Sequence, residues 1–188
     1  LQETDFLRGY ASNLTASRVI ENHKDLVGES LKHSLLNPKL GNWHINVGMM
    51  GETIPKANST VRLDEQAKDK YGLPQLRVSI GYDENDEKML KDFHQQFTEM
   101  YTAAGFYNIQ PIDTKRLPGN ENHEMGGVRM GRDPKTSMLN GFNQLHHCHN
   151  VFVTDGSCMT STSTQNPSLT YMALTARAVD YAIKEKKK

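Results

Sequence analysis

At 188 residues, 36% hydrophobic and 23% charged, the chain has the composition of a folded globular protein, long enough to bury a core without a disulfide or metal staple. Its 22 basic residues balance 22 acidic ones, which excludes recognition of nucleic acid or an anionic membrane by bulk charge. No apolar run approaches the roughly 18 residues that span a bilayer, and two cysteines cannot make a disulfide framework. With Leu1 at its head and no basic leader, the chain reads as a soluble portion of a longer one, cytoplasm and periplasm both remaining open.

Residues 5–36 carry a polar stretch and then Leu26, Val27, Leu31 and Leu35 at helical spacing, which predicts one or two short helices ended by Asn37-Pro38. The run from Trp43 to Ile54, then Thr60 to Leu63, then Leu76 to Tyr82 predicts strands of an antiparallel sheet, with a turn at Lys70 to Pro74. Asp83-Glu84-Asn85-Asp86 offers a helix cap, and Met89, Leu90, Phe93, Phe97, Met100 and Tyr101 recur on one face up to Gly105. That pattern predicts an amphipathic helix packed on the sheet. Residues 108–150, rich in Gly, Asn, His and Pro, read as loop, and loops of that length inside a compact chain usually carry function. Val151 to Thr154 predicts a buried strand, Asp155-Gly156-Ser157 a turn, and residues 167–184 a helix with Asn166 as cap and Pro167 in its first position. Its small and apolar residues predict burial on most faces. The run Lys184 to Lys188 then complements the helix dipole as a solvated end.

Within this frame His123-Glu124-Met125-Gly126-Gly127-Val128-Arg129-Met130-Gly131 is followed by Val151-Phe152-Val153-Thr154-Asp155-Gly156-Ser157 and by Gln165-Asn166-Pro167-Ser168-Leu169-Thr170. Taken singly, His123 reads as a hydrogen-bonded loop histidine, Asp155-Gly156 as a plain turn and Asn166 as a helix cap. Taken in order, the three stretches resemble the C-terminal part of the glucose-methanol-choline (GMC) flavoprotein oxidoreductases, on the sorbose and gluconate dehydrogenase-like branch. Residues 43–104, including the 69–74 turn, are similar to that family's substrate domain.

The resemblance implies an α+β fold, with residues 1–120 in a substrate-binding portion, 121–150 an active-site loop region, and 151–188 a strand and helix returning to an incomplete FAD-binding domain. It implies oxidation of a sugar or polyol hydroxyl, with His123 as the base, a role that suits a side chain of pKa about 6.5. Asn166 stands where the family has His or Asn and would orient the substrate. Asp155, Gly156, Asn166, Pro167 and Ser168 would lie against FAD, the helix start favouring negative charge. No Gly-x-Gly-x-x-Gly follows a strand, so the missing N-terminal portion would grip the ADP half, and this chain alone would retain FAD poorly and be inactive. A homodimer of the fragment through its uncovered apolar faces is a further expectation. Two rival readings are a non-enzymatic α+β binding module and a metal-dependent hydrolase built on His146, His149 and Asp155. No metal is expected, because the consecutive His146-His147-Cys148-His149 cannot converge on one ion.

Overall fold

The computed structural model describes residues 4–20, 25–119 and 123–186, and it is α+β, with three α-helices among strands that pair two by two. Two compact units divide the described chain: residues 11–50 form one, and residues up to Tyr10 together with those from Gly51 onward form the other. Lys187 and Lys188 of the predicted basic tail lie outside the described residues, whereas Lys184 pairs with Asp180 one turn earlier at 2.6 Å.

In the smaller unit, β1 (Tyr10–Ile20) and β2 (Leu40–Gly51) pair, with α1 (Gly28–Leu36) in the connection. The Arg18 guanidinium donates to the carbonyls of Leu40 and Gly41 at 3.1 and 2.9 Å, and the Asn13 amide reaches Met50 Sδ at 3.7 Å. These contacts run in opposite senses along the two strands, so the pair is antiparallel. β1 replaces the predicted polar stretch. Its Ala, Ser and Asn are not strand formers on their own, and β2 supplies the backbone partners that make it a strand.

The larger unit contains the hairpin β3 (Thr60–Lys68) and β4 (Pro74–Ser79), antiparallel with Val61 opposite Val78 and Leu63 opposite Leu76. Its turn is built by Asp69, whose carboxylate accepts the N–H groups of Tyr71 and Leu73 at 2.8 and 2.9 Å, a side-chain mimic of a backbone turn. All four facing apolar residues are exposed, from 55% for Val78 to 69% for Leu76.

α2 (Glu84–Ala103) forms where the acidic cap predicted it, with Asp83 and Asp86 closing a reciprocal capping box. Lys56 bridges both carboxylates at 2.9 and 3.1 Å. Burial lowers the Lys56 pKa, but the bonds to Asp83 and Asp86 outweigh that, so its ammonium is held above its ordinary range. The predicted stripe is apolar and inward, with Met89 and Phe93 buried, and Phe93 meets Tyr10, the first residue of β1. Tyr10 meets Phe93 edge-on at 5.5 Å and donates to Asp92 at 2.7 Å, while Leu7 N–H bonds Asn85 Oδ1.

Residues 123–158 form a second buried centre around Leu139, which is fully enclosed. The short strands β5 (Gln144–Leu145) and β6 (Cys148–Phe152) pair there, so the strand predicted at 151–154 starts three residues earlier, ends at Phe152 and is only part-covered. Finally α3 (Ser168–Lys186) buries Ala178 alone, with Leu169 and Met172 at 79% and 68% exposure, against the expectation of burial on most faces.

Candidate functional site

Gly126 and Gly127 stand in succession at φ +91° and +97°, a left-handed backbone that side chains resist. The double glycine thus turns the chain out of His123 into an extended run. Gly126, Val128 and Met130 then donate their N–H groups to the carbonyls of Gly156, Ser157 and Cys158 at 3.2, 3.1 and 3.0 Å. The first of the three sequence stretches is therefore zipped along the second, 30 residues away.

Gly156 is the tightest point of this zipper. A Cβ there would lie 2.7 Å from the Glu124 carbonyl oxygen and 2.9 Å from Tyr171 Oη, so glycine is required by close approach of protein atoms on both sides. Its neighbour Asp155 accepts the Ser157 hydroxyl and, at 2.9 Å, the Ser157 N–H. Those bonds, the hydroxyl first, hold the Asp155 carboxyl below its ordinary range. Cys158, buried behind them, has its thiol pushed up by burial.

The third stretch joins through α3. Pro167 is buried and its carbonyl accepts Tyr171 N–H at 3.0 Å, while Tyr171 Oη donates to Met125 Sδ at 3.4 Å. Burial, then the negative groups around it, push the Tyr171 hydroxyl up in pKa. Six residues on, Arg177 donates to Asn143 Oδ1 at 3.2 Å and to Met130 Sδ at 3.5 Å, so the helix braces the 125–130 run at two sulfurs. Arg177 was visible as a lone charge among Ala, Leu and Val; Tyr171 carried no such mark.

Of the predicted site residues, His123 is half-buried at the head of the zipped run, and its ring makes no hydrogen bond to another described residue. Asn166 is exposed, its amide equally unengaged; because α3 starts at Ser168, Asn166 precedes the cap position and does not close the helix. Ser168 is exposed in the first turn, which contains no acid. Its N–H, with those of Leu169 and Thr170, lacks an intrahelical partner. Asp155 and Gly156 thus lie directly against the His123 run, while no hydrogen bond links His123 to Asn166 among the described residues.

Arg129 braces the loop through Thr136 O at 2.7 Å. In the histidine cluster, His146 Nε2 lies 3.2 Å from Ser137 Oγ, and the Cys148 thiol donates to Asn150. Among the described residues no three His, Cys, Asp or Glu side chains are grouped to hold a metal ion.

A family model described as GMC oxidoreductase matches residues 55–175, a span that contains all three stretches. The 2-methyl-1,2-propanediol dehydrogenase of Mycolicibacterium austroafricanum is 38% identical over 146 residues, 77% of this chain and 26% of that protein. The fructose dehydrogenase large subunit of Gluconobacter japonicus is 30% identical over 136 residues, 72% of this chain and 24% of that protein. The gluconate 2-dehydrogenase flavoprotein of Pantoea cypripedii is 30% identical over 142 residues, 71% of this chain and 23% of that protein. The chain spans about a quarter of the length of these curated relatives.

Proposed function

As this chain belongs to the GMC oxidoreductase family, we propose that it supplies the C-terminal part of an FAD-dependent alcohol oxidoreductase acting on a hydroxyl group of a sugar or polyol. The observation that carries this reading is the zipper: backbone bonds join the run that follows His123 to Gly156–Cys158, about 30 residues on in sequence, and the Tyr171 and Arg177 side chains tie α3 to the same run. Names of relatives that include fructose, gluconate and a propanediol support an alcohol as substrate.

The residues present suit an electron-rich ring at the α3 start. Free N–H groups converge there, no carboxylate opposes them in the first turn, and the Asn166 amide is unengaged. FAD, when bound, would accept the hydride lost from the alcohol carbon, and with it both electrons of the oxidation. Pro167 and Ser168, with Asp155 and Gly156, would hold its near side, and the upstream portion of the polypeptide its ADP half. His123 takes the hydroxyl proton on a ring nitrogen that no described residue occupies, a step worth roughly 10²- to 10⁴-fold. Asn166 holds the same substrate oxygen by its amide, fixing the approach of the C–H bond. In domain terms, 1–120 contributes to the substrate side, 121–150 to the active-site loop and 151–188 to the flavin side.

The test is the visible flavin spectrum of the polypeptide containing this segment, followed anaerobically as sugars and polyols are added. Bleaching that slows at least about 100-fold in His123→Ala is expected. Unchanged bleaching in that variant removes His123 as the base, and a flavin-free protein would favour the binding-module reading instead.

A further inference from the structure

The β3–β4 hairpin has two faces, and the one opposite Val61, Leu63, Leu76 and Val78 is built unlike an ordinary solvated surface. Its cross-strand pairs are Thr60 with Ser79, Arg62 with Arg77, and Asp64 with Gln75. Like charges placed directly opposite on a ladder repel, so an Arg-Arg pair costs stability unless an anion lies between the guanidiniums. Neither arginine has a carboxylate partner among the described residues. The nearby acid does not serve them: Asp64 Oδ1 accepts the N–H groups of Gln66 and Ala67 at 3.1 and 3.2 Å, closing the irregular step of the strand. The adjoining Thr60–Ser79 pair adds two hydroxyls, so two successive rungs present donors only or donors by rotation.

These rungs line an open cleft of about 720 Å³, whose lining also includes Asn58, Gln66 and the carboxylates of Asp64 and Glu65. That size falls within the usual range for small-molecule pockets, roughly 300–1,000 Å³. Guanidiniums bind oxyanions through paired, parallel N–H donors, and the amides and hydroxyls around them suit a polyhydroxylated body.

We infer that the Thr60, Arg62, Arg77 and Ser79 face of the hairpin is a binding site for the carboxylate or phosphate group of a small polyhydroxylated molecule. The site stands apart from the 123–171 zipper and does not depend on the flavin reading, since binding is read without turnover.

The test is an NMR titration of the chain with inorganic phosphate, with D-gluconate and with neutral sorbitol, in wild type, Arg62→Gln, Arg77→Gln, Arg62→Lys and Lys70→Gln. Lys70 lies at the far end of the same hairpin, over Tyr71, and removes one equal charge outside the cleft. Saturable shifts confined to 58–66 and 75–79 are expected with gluconate, phosphate or both, and none with sorbitol. Phosphate alone would identify a phosphate group as the ligand's anion, and gluconate alone a carboxylate with its polyol. Each Gln variant should weaken binding about tenfold or more, Arg62→Lys should weaken it less, and Lys70→Gln should leave it within twofold. Amide spectra of the variants that keep the wild-type pattern elsewhere establish that the fold is intact. Equal weakening by Lys70→Gln, sorbitol binding as tight as gluconate, or no saturation with either anion would overturn the assignment.

Discussion

The β3–β4 hairpin and the 123–158 region invert the usual relation between regularity and burial. The hairpin is a regular ladder with five consecutive pairs from Thr60 to Asp64, yet its apolar side chains are more than half exposed. Residues 123–158 hold only scraps of strand, yet they enclose Leu139, Asn143 and Cys158 almost completely. The buried polar groups there are all answered: Asn143 donates to Val153 O at 2.9 Å, and Gln144 to His149 O at 2.8 Å. An exposed ladder pairs its inner main-chain groups and leaves the outer ones to water, whereas a buried irregular segment is ordered only if side chains finish its hydrogen bonds.

The contrast is broken most forcefully at Leu139. Leu139→Ala should cost about 2–5 kcal/mol in urea unfolding, because a fully enclosed side chain leaves a cavity. Leu63→Ala, at 63% exposure, should stay within about 0.5 kcal/mol under the same conditions. Equal losses would mean that the hairpin face is covered in solution.

Gly156→Ala comes next. Its Cβ meets backbone oxygen at 2.7 Å, so the zipper must open or shift at a cost of about 1–3 kcal/mol. Hydrogen exchange at the Gly126, Val128 and Met130 amides should accelerate, with β3–β4 amides unaffected. Wild-type exchange at all three would show that the close approach is not kept.

A smaller effect extends the comparison to α2. Asp83→Ala removes both capping bonds and one partner of Lys56, and about 1 kcal/mol should be lost by thermal or urea unfolding.

One further effect is confined to alkaline pH and is absent at neutral pH. Burial, then the bond to Asp92, raise the Tyr10 hydroxyl to about 12, from 10.0. The folded state therefore holds this proton more tightly, and its contribution to stability is complete below pH 10 and lost as pH rises from 10 to 12. Tyr10→Phe should flatten that part of the stability profile relative to wild type. Profiles of equal slope would remove the Tyr10–Asp92 contact as its cause.

The parts of the molecule that could be read from the chain itself are those whose cause lies within a few residues. Asp83 caps the helix three residues from Asp86, Asp69 folds its own turn, and Met89 and Phe93 fall on one helical face at i and i+4. The order of the three stretches from His123, Asp155 and Asn166 was legible too, as a resemblance. What lay beyond reach was every feature whose partner is distant. β1 is a strand because β2 pairs with it, and the apparent loop at 123–158 is ordered because residue 126 bonds 156 and Asn143 bonds both Val153 and Arg177. Asn166 was legible as a candidate, but its release from capping follows from a helix start two residues later. The physical reason is common to all of these. Local propensity is a sum over neighbours in sequence, while hydrogen-bond satisfaction and burial are settled by neighbours in space, and only the folded chain specifies those.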